Sequence, residues 1–354
     1  MQELNKASPQ PSSSPEENNN SAVVKPKRRV RPWLLLSVLL LLIALLSVRD
    51  DLRETALTSS QQAMRFVAFE LLDFSPRDVF VWRLRVAGLA HRPLGQRWIT
   101  AVEKASQQPV SITHQSYINA SFADDEVVAH VYQLSLQQGQ QLLWQLTRLT
   151  SSSDNLYASL ERKGPNANEW KKVTALSADG TEHRHFISQS GDYRLVLQPE
   201  LFSSINYSLA VAHGGSLPFP VKGGSHHDIG GGFGVARDGG ARAHHGVDIF
   251  ASKGTPVTAV VDGKVRIGRG GLGGNYLWLS DNKFGLSGVR YYYAHLDSFA
   301  VASGDSVKQG DTLGYVGNTG NAKNTPPHLH FGVYASGPVD PAPFLTAKPV
   351  LPTR

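Results

Sequence analysis

The 354-residue chain contains no cysteine. That absence excludes a disulfide framework, a thiolate zinc site, a cysteine nucleophile and a lipoprotein anchor, and leaves the redox compartment open. A broad charge imbalance is also missing. The net charge is +6, and half of it sits in residues 1–32, where Lys6, Lys25, Lys27, Arg28, Arg29 and Arg31 face only Glu3, Glu16 and Glu17. The remainder is mildly basic and lacks the footprint of a nucleic-acid binder. With 41% hydrophobic and 18% charged residues the chain is not wholly disordered. Its length accommodates roughly two or three domains.

One long uncharged apolar run is present, Trp33 to Val48. At about 1.5 Å rise per residue it spans roughly 24 Å, a little short of a hydrocarbon core of about 30 Å. Flanking Arg31 and Arg49 can snorkel to cover the difference. No polar stripe marks it as a buried core helix, and no small-x-small cleavage site precedes Arg49-Asp50-Asp51. The expectation is an uncleaved signal anchor over 33–48. Residues 1–32, a disordered basic tail, then stay cytoplasmic, and everything after residue 49 lies outside the inner membrane, in the periplasm.

Residues 49–107 read as a helical stalk or module, with Leu52, Ala56, Leu57, Phe66, Phe69, Leu71 and Leu72 at loose helical spacing and breaks at Pro76 and Pro93. Residues 108–216 change period. The runs VVAHVYQLSL, QLLWQLTRL, NLYASLER, DYRLVLQP and NYSLAVAH alternate apolar and polar residues between turn formers, which predicts a β-sandwich-like domain. His183 and His185 there read as solvated strand residues. Residues 217–346 are glycine-rich and strand-like, and 347–354 form a C-terminal tail. The fold class is therefore mainly β.

Eight of the 13 histidines fall between His213 and His330, and three stretches within that segment carry chemistry. In His244-His245-Gly246-Val247-Asp248, positions 244 and 248 would lie about 13 Å apart on a straight strand, too far to share a metal with bonds near 2 Å. Gly246 permits the kink that would bring them together. In Pro327-His328-Leu329-His330-Phe331, both imidazoles share one strand face, while Leu329 and Phe331 point to the core. Tyr291-Tyr292-Tyr293-Ala294-His295-Leu296 adds a histidine in an aromatic strand.

The order of these motifs resembles the lysostaphin-type (LytM-like) family of zinc metallo-endopeptidases that cleave peptidoglycan. The likeness covers residues 217–346 and extends to Lys253-Gly254-Thr255-Pro256-Val257, Asp262-Gly263, Gly310-Asp311-Thr312-Leu313-Gly314 and Gly317-Asn318-Thr319-Gly320. It implies an antiparallel β-sheet peptidase domain with His244, Asp248 and His330 as Zn2+ ligands. It further implies His295 and His328 as catalytic residues beside the reacting water and carbonyl. His245 and the pair His226-His227 fall outside the matched positions and read as surface or groove-lining. An aromatic transition-state stabiliser known in some members has no counterpart before His244, where Arg237-Asp238-Gly239-Gly240 stands. The function implied is a membrane-anchored peptidase acting on peptidoglycan cross-links, the bond from D-Ala to diaminopimelate being favoured. Cell-wall enzymes are candidate partners. The alternative is a catalytically silent LytM-like regulator of another hydrolase. A biotinyl-type carrier is disfavoured, because Lys264 after Asp262-Gly263 lacks the flanking methionines.

Overall fold

The structure is a computed structural model that describes residues 75–150, 154–166, 169–281 and 288–353. The expected membrane anchor at 33–48 lies outside these residues. No helix among the described residues is long and apolar enough to cross a membrane.

Among the described residues two helices come first, α1 (Pro76–Val86) and α2 (Pro93–Ala105). The two prolines expected to break the helical pattern instead open it. Each sits in the first turn, where the missing N–H has no intrahelical partner to lose. Ser75 caps α1 by accepting from Asp78 N at 3.1 Å. Helix α2 buries Trp98, Ala101 and Val102, one stripe at i, i+3, i+4 spacing.

The helices cover one face of a β-sandwich. Its first sheet has the spatial order β1 (Val110–Ser111), β3 (His130–Leu136), β8 (Gly191–Pro199), β5 (Leu156–Lys163), β6 (Trp170–Ala175). The second runs β2 (Gln115–Phe122), β9 (Ile205–Gly215), β4 (Gln140–Arg148), β7 (His183–Phe186). Leu142, Leu146, Leu160, Leu195, Leu197, Ile205 and Leu209 meet between the sheets. Central strand β8 is buried on both faces, because Val196 also packs on Ala101 and Val102 of α2. Trp98 Nε1 donates to Pro199 O at 2.8 Å, and Gln198 Nε2 donates to Trp98 O at 2.7 Å, locking helix to strand.

The C-terminal domain is built on a large antiparallel sheet. Its order is β10 (Ile229–Gly231), β13 (Val247–Phe250), β21 (His328–Tyr334), β17 (Arg290–Leu296), β16 (Asn275–Asp281), β15 (Gly263–Arg269), β19 (Ser306–Val307), with β22 (Pro338–Val339) on β21. A smaller sheet, β14 (Pro256–Thr258), β20 (Thr312–Tyr315), β18 (Ser298–Phe299), packs against its inner face. The two-stranded ribbon β11 (Ala236–Arg237) and β12 (Arg242–Ala243) lies just before the first metal-site motif.

Alternation decides which face is which. Val247, Ile249, Leu277, Leu279, Tyr293, Leu329 and Phe331 are all fully buried on the inner side. The residues between them face out. The C-terminal tail joins the two β modules: Gly215 N, at the end of β9, donates to Ala347 O at 3.0 Å. A Cβ at Gly139 would lie 2.2 Å from the Phe344 ring, so that ring seats directly on a glycine.

Candidate metal centre

Strand register assembles the centre. Asp248 on β13 pairs with His330 on β21, and His330 pairs with Ala294 on β17. His244 precedes β13, and the chain between them turns at Gly246. A Cβ there would lie 2.5 Å from Phe331 O and 2.8 Å from His330 Nε2, so only glycine fits. The turn brings His244 Nε2 to 3.0 Å from Asp248 Oδ1 and 2.9 Å from His330 Nδ1, while His330 Nδ1 is 3.1 Å from Asp248 Oδ1. Three donor atoms thus converge on one point.

The hydrogen bonds around them fix the tautomers. His244 Nδ1 lies 2.7 Å from Gly232 O, a carbonyl that can only accept, so Nδ1 carries the hydrogen and Nε2 presents its lone pair. The same holds for His328, whose Nδ1 donates to Pro326 O at 2.9 Å, and for His295, whose Nδ1 donates to Thr319 O at 2.9 Å. His328 Nε2 sits 3.9 Å from Asp248 Oδ1. The rings of His295 and His328 are 5.0 Å apart.

His295 reaches the centre through a local irregularity. The β16–β17 register shifts between Asn275 and Leu277, and His295 adopts φ 64°. A bulged strand re-aims one side chain, and a non-glycine residue at positive φ is held there only by its surroundings. Its backbone N–H is anchored on Gly273 O at 2.9 Å.

Burial and charge set the protonation states. His244, Asp248, His295 and His328 are all buried. Burial, reinforced by the His328 and His330 imidazoles, pushes His295 down to about 4, which keeps it a neutral base at neutral pH. Burial likewise lowers His330 against the raising effect of Asp248. For Asp248, burial opposes ionisation, but the adjoining His244 and His330 imidazoles outweigh it and hold the carboxyl far below the usual range.

The donor set fits zinc. His244, its Nδ1 committed to Gly232 O, turns Nε2 toward Asp248 Oδ1 3.0 Å away and His330 Nδ1 2.9 Å away, three ligand-type atoms that one cation could share. Two imidazole nitrogens and one carboxylate oxygen are the ligands of an open zinc site.

A residue the sequence left without a role completes the cluster. Arg237 Nη2 donates to Asp248 Oδ2 at 2.6 Å, so one carboxylate oxygen faces the metal ligands and the other is held from outside. Gly231 makes room for this pair, since a Cβ there would lie 2.5 Å from Asp248 Oδ2. The cleft over the centre, about 590 Å³, also takes in His245, Tyr276, Trp278, Tyr292 and Tyr334. His226 and His227 meet each other instead, with tilted rings 4.0 Å apart, and do not line it. The signal for the aromatic wall is alternation within Tyr291-Tyr292-Tyr293: the outer two are buried and the middle one faces the cleft.

Residues 242–341 match the model of Peptidase family M23. Glycyl-glycine endopeptidase ALE-1 of Staphylococcus capitis is 42% identical over 111 residues, 29% of this chain and 29% of that protein. DD-carboxypeptidase/endopeptidase Mpg of Neisseria meningitidis is 39% identical over 112 residues, 31% of this chain and 24% of that protein. L-Ala--D-Glu endopeptidase of Bacillus subtilis is 36% identical over 122 residues, 31% of this chain and 36% of that protein. The chain therefore spans about a quarter to a third of the length of these relatives. Matched motif order, the His244–Asp248–His330 donor set and the sheet that carries it all fall together with this likeness: over residues 242–341 the chain is similar to Peptidase family M23.

Proposed function

We propose that the protein is a membrane-anchored zinc metallo-endopeptidase that hydrolyses peptide cross-links of peptidoglycan, with the bond from D-Ala to diaminopimelate favoured. The observation that carries this reading is the convergence of three ligand atoms within 3.1 Å of one another in an open cleft, with two further imidazoles turned toward it. His244, Asp248 and His330 would hold the ion. Zinc bound there supplies a Lewis acid for a carbonyl and acidifies water toward neutral pH.

The chain's own residues then perform the proton work. His295 and His328 each commit Nδ1 to a backbone carbonyl, so each offers Nε2 to the reaction. One takes a proton from the attacking water and the other returns one to the departing amine. Arg237 holds the Asp248 carboxylate in place while charge moves beside it. The silent-regulator alternative calls for a broken ligand set, and this set is whole.

The anchor at 33–48 and the basic stretch before it support a single-pass inner-membrane protein with the peptidase domain in the periplasm. The three relatives carry three different bonds in their names, so the choice of bond rests on the likeness to the Neisseria DD-endopeptidase and on the envelope location. Digestion of purified cross-linked muropeptides, followed by mass spectrometry, tests it. Uncross-linked tetrapeptides should accumulate and a chelator should stop them. Intact dimers alongside cleaved pentaglycine would overturn the bond assignment.

A further inference from the structure

The outer face of the large sheet is ordered in three rows beyond what zinc binding needs. The first row is the metal row, Asp248–His330–Ala294, across β13, β21 and β17. Two residues further along, Gly332, Tyr292, Trp278 and Arg266 are successive partners across β21, β17, β16 and β15. Two residues beyond that come Tyr334, Arg290, Ser280 and Lys264. Since alternate residues on a strand are about 6.6 Å apart, the third row lies about 13 Å from the metal row.

The middle row is a built aromatic floor. Trp278 and Tyr292 have ring centres 4.6 Å apart, and Tyr334 meets Trp278 edge-on at 5.0 Å. Glycines let the rings lie close to the backbone: a Cβ at Gly332 would lie 2.8 Å from the Tyr334 ring, one at Gly268 2.2 Å from Tyr276, and one at Gly273 2.2 Å from Tyr292 Oη. The floor ends in cations. The Arg290 guanidinium sits 5.1 Å over the Trp278 ring, and Arg266 and Lys264 are exposed on the same face. No Asp or Glu stands in any of the three rows except Asp248 itself.

Resting on the peptidase reading above, the geometry points to a subsite for one carboxylate-bearing peptide arm of the cross-link. The arm would run from the metal row over Tyr292 and Trp278 to Lys264, Arg266 and Arg290. An extended chain covers about 13 Å in roughly four residues. In a diaminopimelate-type stem, the free carboxylates of D-Glu and diaminopimelate fall within that reach of the D-Ala carbonyl. A glycine bridge carries none. The cations therefore select an acidic stem through guanidinium and ammonium pairing, and the rings supply flat apolar contact for its backbone.

Equilibrium binding tests this without requiring turnover. The probe is the tetrapeptide L-Ala-γ-D-Glu-meso-diaminopimelyl-D-Ala, compared with its fully side-amidated form, titrated into the full chain in non-ionic detergent. The free-acid form should bind at least about tenfold more tightly, and added salt should erase the difference. The triple variant Lys264→Gln/Arg266→Gln/Arg290→Gln should lose that preference while keeping its melting temperature, since all three side chains are exposed. Trp278→Ala should weaken both forms. Equal binding of the two probes, or an unchanged preference in the triple variant, overturns the subsite. Charge-selective binding without cleavage of any cross-link would sink the peptidase reading and leave the subsite standing. Cleavage without charge selectivity would do the reverse.

Discussion

The sandwich and the large C-terminal sheet both bury polar side chains, and they dispose of them in different ways. In the sandwich two polar clusters close on themselves. Arg194 donates to Glu161 at 2.6 Å and to Ser106 Oγ at 2.8 Å, and the hydroxyl of Tyr207 bridges His130 at 2.6 Å and Tyr132 at 2.7 Å. In the C-terminal domain the imidazoles of His244, His295 and His328 spend one nitrogen on a backbone carbonyl and turn the other toward a shared cleft. A closed network stabilises a fold and has nothing left to bind with. A convergent one leaves lone pairs unmatched in a low-dielectric site, which is costly without a ligand and useful with one.

The sharpest way to break the contrast is to remove a converging ligand. His330→Ala should abolish stoichiometric zinc, read by elemental analysis, and lower turnover by about 10³-fold or more. Full zinc retention in that variant would reject the ligand assignment. Next come His295→Ala and His328→Ala, which should keep zinc and lose about 10²-fold or more in turnover. Loss of zinc in both would make them structural supports instead. On the sandwich side, Tyr207→Phe strands His130 and Tyr132 together, and should cost about 1–3 kcal/mol in denaturant unfolding with zinc content unchanged.

The smallest effect is a pH slope. Burial holds His130 below its ordinary value of 6.5. The unfolded chain then binds more protons than the folded one as pH falls below 6.5, so stability drops with acidification in that window. The contribution stays under about 1.4 kcal/mol per pH unit, the ceiling for one proton. His130→Phe should flatten the acid limb of the stability curve; an unchanged slope would assign it elsewhere.

Several features were legible because they are local. The five alternating runs in 108–216 correspond to β3, β4, β5, β8 and β9, although β8, covered by α2, is buried on both faces. Strands β1, β2, β6 and β7 escaped, being short, edge-placed or weakly alternating. Pro76 and Pro93 were read as breaks because a proline ends one helix as readily as it starts the next, and the sequence does not mark which side the helix lies on. Arg237 escaped for another reason. Its partner Asp248 is eleven residues away across the β11–β12 ribbon, and no periodicity links the two.

By itself, the sequence determined the residue types and in-strand phase of the centre: Leu329 and Phe331 inward with His328 and His330 between them, and glycine at 246 where only glycine fits. These follow from pleat geometry and from the space beside one Cα. Only the tertiary structure decided what stands across the strands. Register carried His330 against Asp248, set Tyr292 beside Trp278, and placed Lys264 and Arg290 in one row. The physical reason is that side chains on neighbouring strands meet through backbone pairing over long sequence separations, and a slip of one residue would turn every one of them to the opposite face.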